Sequence, residues 1–162
     1  MAKGTEKKLL EDSAKPCALL GRYGRKLGLD KLLTLPSEWL AGLGGSRHVF
    51  VLPDQDERCL NIVPASLMEK ELDRLRAQVL KSPAMLTALR TIGSAAEQLD
   101  LDRRRRIRIS DKLLEWAGIT NAVALVGCVR IIKVWAPEVL GRSELIDEKT
   151  VGKELTKSLR AY

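Results

Sequence analysis

Two stretches decide the fold of this chain: Leu33-Thr-Leu-Pro-Ser-Glu-Trp-Leu-Ala-Gly-Leu-Gly44 and Ile107-Arg-Ile-Ser-Asp-Lys-Leu-Leu-Glu-Trp-Ala-Gly118. Each begins with alternating apolar and polar residues, which is typical of a β-strand with one buried face. Each then reaches a serine that can start a helix, and ends at a glycine that suits a left-handed helix end. The pattern predicts a strand followed by a short amphipathic helix in both places.

The similarity continues beyond both stretches. A short apolar run that favours a buried strand follows, then a turn, then a further strand that ends at a proline. These segments are residues 49–52 with 123–126, 53–57 with 127–130, and 60–63 with 131–135, closed by Pro64 and Pro137. The same unit therefore occurs twice at an offset of about 72–74 positions, which indicates an internal duplication.

A helical segment separates the two copies. Apolar residues recur there at helical spacing on both sides of Ser82-Pro83, which interrupts the helix because a residue before proline avoids the α region. These residues are Leu67, Leu72, Leu75 and Val79, then Met85, Leu89 and Ile92. Strands this short bury little on their own, so we expect the copies to pair face to face in a pseudo-twofold barrel with peripheral helices. The fold class is α+β with a mainly β core.

These patterns divide the chain into five segments. The predicted segments are an N-terminal arm over 1–20, a first β unit over 21–72, a helical connection over 73–98, a second β unit over 99–145, and a C-terminal helix or tail over 146–162.

The composition narrows the class of protein. Hydrophobic residues make up 45% of the chain, enough for a core, and the net charge is +7, which favours an anionic partner without deciding it. No apolar run approaches the roughly 20 residues needed to cross a bilayer, so no membrane contact is expected. Cys17, Cys59 and Cys128 form no paired motif and are expected to be buried free thiols in a reducing cytoplasm.

The most strongly charged segment is Asp102-Arg103-Arg104-Arg105-Arg106-Ile107-Arg108-Ile109. Side chains alternate along an extended chain, so Ile107 and Ile109 should enter the core while the alternate arginines face outward. These arginines are Arg104, Arg106 and Arg108. An arginine cluster cannot be buried without anions around it, so phosphate contact is one interpretation. The other is a solvated cationic face in which Arg106 pairs with Asp102.

Catalytic and metal-binding patterns are missing from the sequence. His48 is the one histidine, and Gly42-Leu-Gly-Gly-Ser46 lacks the lysine of a phosphate-binding loop, so it is interpreted as a helix end and turn. The acidic turn with Asp54, Asp56 and Glu57 is interpreted as solvated rather than as a cation site. We therefore expect that the protein is not an enzyme and that it binds no cofactor, metal or small-molecule substrate.

The three tryptophans are interpreted as packing residues. Trp39 and Trp116 lie on the predicted short helices and are expected to anchor the core or an interface, because a tryptophan that stacks on a base is less common. Trp135 ends a predicted strand and is expected in the core.

The order of several short motifs resembles the MraZ family. In the first half they are Gly21-Arg-Tyr23, Leu27 and Leu33-Thr-Leu-Pro36. In the second half they are Ala96-Glu-Gln-Leu-Asp-Leu-Asp102, Arg106-Ile107, Ala117-Gly-Ile-Thr120, Leu125-Val-Gly127 and Val134-Trp135. The resemblance covers roughly residues 20–145. It implies two tandem AbrB/SpoVT-like units in a double-split β barrel, ring-like homo-oligomers, and a nucleoid-associated DNA-binding regulator of the division and cell-wall gene cluster.

The chain departs from the D-x-x-x-R motif that such repeats typically carry. Asp102 and Arg106 satisfy the motif in the second repeat, although Arg105 replaces the usual glycine. In the first repeat, Gly28 and Leu32 occupy the aspartate and arginine positions, and the nearby Asp30 and Lys31 do not restore the spacing. Operator recognition would be altered or absent if both motifs were required.

The resemblance implies double-stranded DNA as the partner, bound through basic residues of both repeats. The expected contacts are Arg103, Arg104, Arg105, Arg106, Arg108, Arg22, Arg25, Lys26 and Lys31, with Asp102 and Arg106 as the structural motif. The alternative is an oligomeric structural or protein-interaction scaffold that has lost sequence-specific DNA recognition.

Overall fold

The computed structural model describes residues 18–79 and 81–141, together with Lys157 and Arg160. Most of the expected N-terminal arm, most of the C-terminal segment and Cys17 lie outside the described residues.

Strands and short helices alternate along the described chain. In order they are β1 (Arg22–Lys26), β2 (Leu32–Thr34), a 3₁₀ helix (Ser37–Trp39), β3 (His48–Pro53), β4 (Leu60–Pro64), α1 (Ala65–Val79), α2 (Pro83–Ala95), β5 (Glu97–Asp100), β6 (Arg106–Arg108), α3 (Asp111–Ala117), β7 (Ala122–Gly127), β8 (Ile132–Trp135) and α4 (Pro137–Leu140). The expected α+β class with a mainly β core is confirmed.

The strands of the two copies interleave. Six antiparallel strands form one sheet in the order β1-β7-β8-β4-β3-β5, and β2 pairs with β6 in a separate two-stranded ribbon. The expectation of face-to-face packing is therefore wrong, because the first strand of each copy is hydrogen-bonded to the other copy. Exchange of strands between the copies pairs the backbone donors and acceptors of these short strands. If the copies packed as separate units, those backbone groups would stay unpaired.

The strand order is the same when the two copies are exchanged, since β1 corresponds to β5, β2 to β6, β3 to β7 and β4 to β8. At the centre of the β2–β6 ribbon, Leu33 lies opposite Ile107, its equivalent 74 positions later. At the β4–β8 contact, Leu60 lies opposite Val134, again 74 positions later. A pseudo-twofold axis therefore passes through both pairs of strands.

Two strands, β1 and β5, have no counterpart among the strands predicted from sequence. Both lie at the edges of the six-stranded sheet and carry mostly charged or small residues. Tyr23 and Leu99 are the side chains through which they pack against the core. An edge strand is held mainly by backbone hydrogen bonds, which leave no apolar alternation in the sequence.

The core lies between the sheet, the ribbon and the short helices. Leu33, Ile107 and Ile109 are fully buried there, as the alternation predicts. Trp39 is also buried, donates its indole N–H to the Leu20 carbonyl at 2.7 Å, and packs edge-on against Tyr23. Trp135 is buried as expected, but Trp116 is 42% exposed, so it is not a core residue.

The two predicted short helices differ in kind. In the second copy the Ser110 hydroxyl accepts a hydrogen bond from the Leu113 amide, and α3 ends at Gly118 with a left-handed φ of 70°. In the first copy no side chain caps the helix, and the Ser37 hydroxyl bonds instead to Glu38. The first copy forms only a 3₁₀ helix and turns, so the prediction of an amphipathic helix there is wrong.

The helical connection is interrupted where predicted. Ser82 has an extended backbone and Pro83 occupies the first turn of α2. α1 buries Met68 and Leu75, whereas no residue of α2 is fully buried among those described. The connection therefore lies on the outside of the fold.

The acidic turn between β3 and β4 is closed by an intramolecular ion pair. Asp54 accepts hydrogen bonds from the Asp56 and Glu57 amides, at 2.9 and 3.0 Å, and from the Asn61 side chain at 2.9 Å. Lys133 of β8 lies 3.3 Å from Asp54 and 2.9 Å from Glu57. The interpretation as a solvated turn is therefore wrong for Asp54, which is largely shielded from solvent, whereas Glu57 stays exposed while it binds the same lysine of the other copy.

The free cysteines described are Cys59, which is buried, and Cys128, which is half-buried. Burial raises the pKa of the Cys59 thiol to about 12 and also raises the pKa of Cys128. Both thiols therefore stay protonated and unreactive at neutral pH, as is usual for structural cysteines.

Candidate nucleic-acid interface

The arginine run begins in a tight turn, which we call the arginine loop (residues 102–105). The Arg105 amide donates to the Asp102 carbonyl at 3.0 Å, and the Asp102 amide donates to the Arg106 carbonyl at 3.1 Å. The Asp102 carboxylate accepts from the amides of Arg104 and Arg106, both at 2.8 Å. A side chain that binds amides two and four residues later fixes the loop from within.

Asp102 also forms an ion pair with Arg106. The Arg106 Nε donates to the carboxylate at 2.7 Å. The hydrogen bond from the Arg106 backbone amide, together with those from the Arg106 side chain and the Arg104 amide, holds the pKa of Asp102 below its usual range. Arg106 is therefore partly neutralised inside its own loop.

Arg105 binds the first copy instead of projecting freely. Its φ of 61° is left-handed, the conformation that glycine adopts most easily. Its carbonyl accepts from the Leu35 amide at 2.8 Å, and its Nε donates to the Leu35 carbonyl at 3.3 Å. Arg105 thus joins the arginine loop to the end of β2.

Three arginines of the run have neither a carboxylate partner nor a side-chain hydrogen bond among the described residues. The side chains of Arg103, Arg104 and Arg108 are exposed, and none forms an ion pair with a described residue. Arg103 and Arg104 lie in the arginine loop, and Arg108 lies on the outer face of the β2–β6 ribbon, opposite Leu32. These guanidiniums can bind external anions without first breaking an internal contact.

Arg25 extends this surface from β1. Its Nε donates to the Thr34 carbonyl of β2 at 3.3 Å, and its guanidinium carbon lies 5.4 Å from the centre of the Tyr23 ring. Since Thr34 pairs with Arg106 across the ribbon, Arg25 is brought beside the arginines of the second copy.

The remaining expected contacts lie elsewhere. Arg22 and Lys26 are exposed on the face of β1 opposite to Arg25, because side chains alternate along a strand. Lys31 is half-buried with a left-handed φ of 59° and occupies the position equivalent to Arg105. The structure therefore groups Arg25 with the arginine run and separates Arg22 and Lys26 from it.

The sequence patterns did not single out one exposed residue near this surface. Leu29 is fully exposed, whereas Leu32, the apolar replacement that drew attention, is half-buried. The internal repeat could have identified Leu29, because it precedes Arg103 by the same 74 positions that separate Leu33 from Ile107. Leu29 is therefore the first-copy equivalent of an arginine in the basic run.

The described residues contain neither a metal-binding cluster nor a membrane-spanning helix. Within residues 18–79 and 81–141, no group of three or more histidine, cysteine or acidic side chains is placed to hold a metal ion. None of the described helices is long and apolar enough to cross a membrane. His48 is exposed and pairs with Asp100 on the neighbouring strand, which agrees with a surface role.

Sequence comparison finds relatives that share most of the chain. A protein named transcriptional regulator MraZ from Symbiobacterium thermophilum is 28% identical over 119 residues, covering 74% of this chain and 84% of the relative. The MraZ of Clostridium acetobutylicum is 24% identical over 119 residues, covering 74% and 82%. The MraZ of a Nocardioides species is 27% identical over 118 residues, covering 73% and 80%.

These similarities support membership of the MraZ family, as the order of the sequence motifs predicted. No protein-family model matches it. The D-x-x-x-R motif expected in each MraZ repeat occurs in this chain only in the second copy, where Asp102 and Arg106 form the ion pair described above.

Proposed function

We propose that this protein is a DNA-binding transcriptional regulator. The names of its relatives support that class of function. The observation that carries the proposal is the group of exposed arginines, Arg103, Arg104 and Arg108, which have no carboxylate partner among the described residues. Backbone phosphates are the anions that such a surface binds most readily.

Each basic residue has a distinct role in this proposal. Arg103, Arg104 and Arg108 contact phosphates, and one of the loop arginines reaches a guanine edge. Arg105 and Arg106 hold the loop in shape, because each is already bonded within the protein. Arg25 adds positive charge beside the ribbon, while Arg22 and Lys26 would meet only DNA that passes over the other face of β1.

The finer architecture is proposed on the same basis. The exchange-symmetric strand order supports two AbrB/SpoVT-like units in a double-split β barrel. We propose residues 21–72 and 99–145 as these units and 73–98 as the connection, although β5 of the second copy already begins at Glu97. One loop with a few arginines binds DNA weakly, whereas several loops in a ring-like homo-oligomer can engage repeated operator elements together. We propose that the target is the division and cell-wall gene cluster, and that the protein acts in the cytoplasm at the nucleoid.

Fluorescence anisotropy tests the function directly. A duplex from the promoter of that cluster, containing direct repeats, is compared with a scrambled duplex of equal length over a salt series. We expect tighter binding to the promoter duplex. The logarithm of the affinity should fall with the logarithm of salt concentration at a slope of about 0.9 for each phosphate contacted. Equal affinity for both duplexes would remove the sequence-specific claim.

A charge-matched pair of variants locates the interface. Arg103→Ala, Arg104→Ala and Arg108→Ala together should reduce the salt slope by up to about 3 for each protomer engaged. The control is Arg74→Ala, Arg76→Ala and Arg90→Ala, which removes the same charge from α1 and α2. If both triple variants lower the slope equally, the protein responds to net charge alone.

The alternative function as a scaffold rests on the first copy, where Gly28 and Leu32 replace the motif. It predicts a stable oligomer by light scattering with no salt-dependent retention of either duplex. The anisotropy titration therefore separates the two functions.

A further inference from the structure

The first copy keeps the loop that its sequence motif has lost. We call residues 28–31 the leucine loop. Its Lys31 amide donates to the Gly28 carbonyl at 3.1 Å, matching the 3.0 Å bond between Arg105 and Asp102. Lys31 and Arg105 also share the left-handed conformation, with φ of 59° and 61°. The two loops therefore have the same turn in spite of different sequences.

A relocated carboxylate maintains the leucine loop. In the arginine loop, Asp102 accepts from the Arg106 amide, whereas in the leucine loop Asp30 accepts from the equivalent Leu32 amide at 3.2 Å. A Cβ atom on Gly28 would lie 3.1 Å from the Asp30 Oδ1, which is tighter than an ordinary contact. Glycine at 28 thus leaves the space that the Asp30 carboxylate uses, and the loop keeps its shape without the motif.

This loop presents Leu29 in the place of Arg103. The pseudo-twofold axis between β2 and β6 puts both loops on the same side of the ribbon, at its opposite ends. Extended chain rises about 3.3 Å per residue and neighbouring strands lie about 4.8 Å apart, so the two tips are at most roughly 27 Å apart, less than the ~34 Å of one turn of DNA. A single duplex can therefore reach both loops.

The charges around Leu29 are cationic. Lys31 lies in the same loop, and Arg108 lies opposite Leu32 on the adjoining ribbon surface, neither in an ion pair with a described residue. The one carboxylate in the loop, Asp30, is turned onto the backbone. Such surroundings attract a duplex and repel an identical cationic surface of a second copy. A stable protein interface also needs about 800 Å² per partner, which one leucine at a turn cannot supply.

We propose that Leu29 contacts thymine methyl groups in the major groove of the DNA held by the arginine loop. This rests on the proposed function. An apolar side chain against the thymine 5-methyl group is a direct means of reading a base, and it needs no hydrogen bond. The two copies would then have different roles in DNA binding. The second copy would bind phosphates, and the first copy would give a preference for thymine.

Replacing thymine by deoxyuridine tests the proposal, because it removes only the methyl group. The promoter duplex is prepared with either base and titrated by anisotropy. Wild type should bind the thymine duplex roughly three- to fivefold more tightly, as expected for one buried methyl contact. In Leu29→Ala that ratio should fall to about one, whereas Arg103→Ala should weaken binding to both duplexes and keep the ratio.

The outcomes separate the two proposals. An affinity ratio of one between the two duplexes in wild type would overturn the role of Leu29, and so would a ratio that Leu29→Ala leaves unchanged. In either case, salt-dependent binding would still support the proposed function as a regulator. Loss of oligomer mass in Leu29→Ala with an unchanged ratio would assign Leu29 to a contact between copies. Failure of wild type to retain either duplex would overturn the proposed function, and the role of Leu29 with it.

Discussion

At the residue scale, Arg105 shows how one side chain can belong to a basic run and yet serve the fold. It occupies a left-handed position where the family usually has glycine, and it exchanges two hydrogen bonds with Leu35. A non-glycine residue in this conformation costs about 1–2 kcal/mol, which the bonds to Leu35 partly offset. Charge alone would have grouped Arg105 with Arg103 and Arg104 as an exposed arginine available to DNA.

We predict that Arg105→Gly leaves the salt dependence of DNA binding unchanged. Glycine relieves the backbone cost but removes the side-chain bond, so the free energy of unfolding should change by less than about 1 kcal/mol. Arg104→Ala, by contrast, should reduce the salt slope by about 0.9 for each protomer engaged. Anisotropy over a salt series measures the slopes, and urea denaturation measures stability. An equal loss of slope in both variants would make Arg105 a phosphate contact.

At the element scale, the two copies show that one sequence pattern can end in different helices. The second copy has Ser110 at the cap position, bonded both to the Leu113 amide and to Glu97 of β5. In the first copy Pro36 occupies the cap position and offers no side-chain acceptor. Gly42, Gly44 and Gly45 follow, and glycine disfavours continuation of a helix.

We predict that Ser110→Ala lowers the free energy of unfolding by about 1 kcal/mol, the usual effect of losing a helix cap. Ser37→Ala is the matched control and should change it by less than about 0.5 kcal/mol, because the Ser37 hydroxyl bonds only to the exposed Glu38. Urea denaturation at neutral pH measures both. Equal destabilisation by the two substitutions would show that the cap hydrogen bond has no special role.

At the scale of the whole molecule, the copies are joined by strand pairing and by the ion pair between Lys133 and the acidic turn. Burial acts to raise the pKa of Asp54, but the hydrogen bonds from Asn61 and two backbone amides, with the charge of Lys133, lower it to about 2. Burial likewise acts to lower the pKa of Lys133, but Glu57 and Asp54 outweigh it and the pKa is raised. The charged pair therefore stabilises the folded chain at neutral pH.

We predict that acid removes this stabilisation between about pH 4 and pH 2. A carboxylate whose pKa is lower in the folded chain stabilises it above the unfolded pKa, and that contribution is lost as pH falls through the folded pKa. For Asp54 the loss is on the order of 2 kcal/mol. Asp54→Asn should flatten the pH dependence of the free energy of unfolding in this range.

Denaturation at several pH values between 5 and 2 provides the measurement for that prediction. The control is Asp73→Asn, which breaks an exposed pair on α1 that solvent screens, and it should leave the acid dependence close to that of wild type. Acid curves that coincide for wild type and Asp54→Asn would rule out this role for the Asp54 carboxylate.

Local sequence patterns were enough to predict many of the secondary-structure elements and core residues of this protein. The alternation of residues 106–109 placed Ile107 and Ile109 in the core and left the arginines outside, because a side chain's face on a strand depends only on its position. The repeat offset, the inner strands and the helix break at Ser82-Pro83 were equally local. The order of its motifs also indicated the family.

Tertiary structure decided how the copies meet. The pairing of β1 with β7 and of β5 with β3 depends on backbone hydrogen bonds, which nearly any residue can form and which leave little trace in the sequence. The same holds for the bonds of Arg105 to Leu35, the lysine that binds Asp54, and the Asp30 carboxylate that holds Leu29 at the surface. Each joins residues whose proximity follows from the folded chain, so composition and spacing alone could not reveal them.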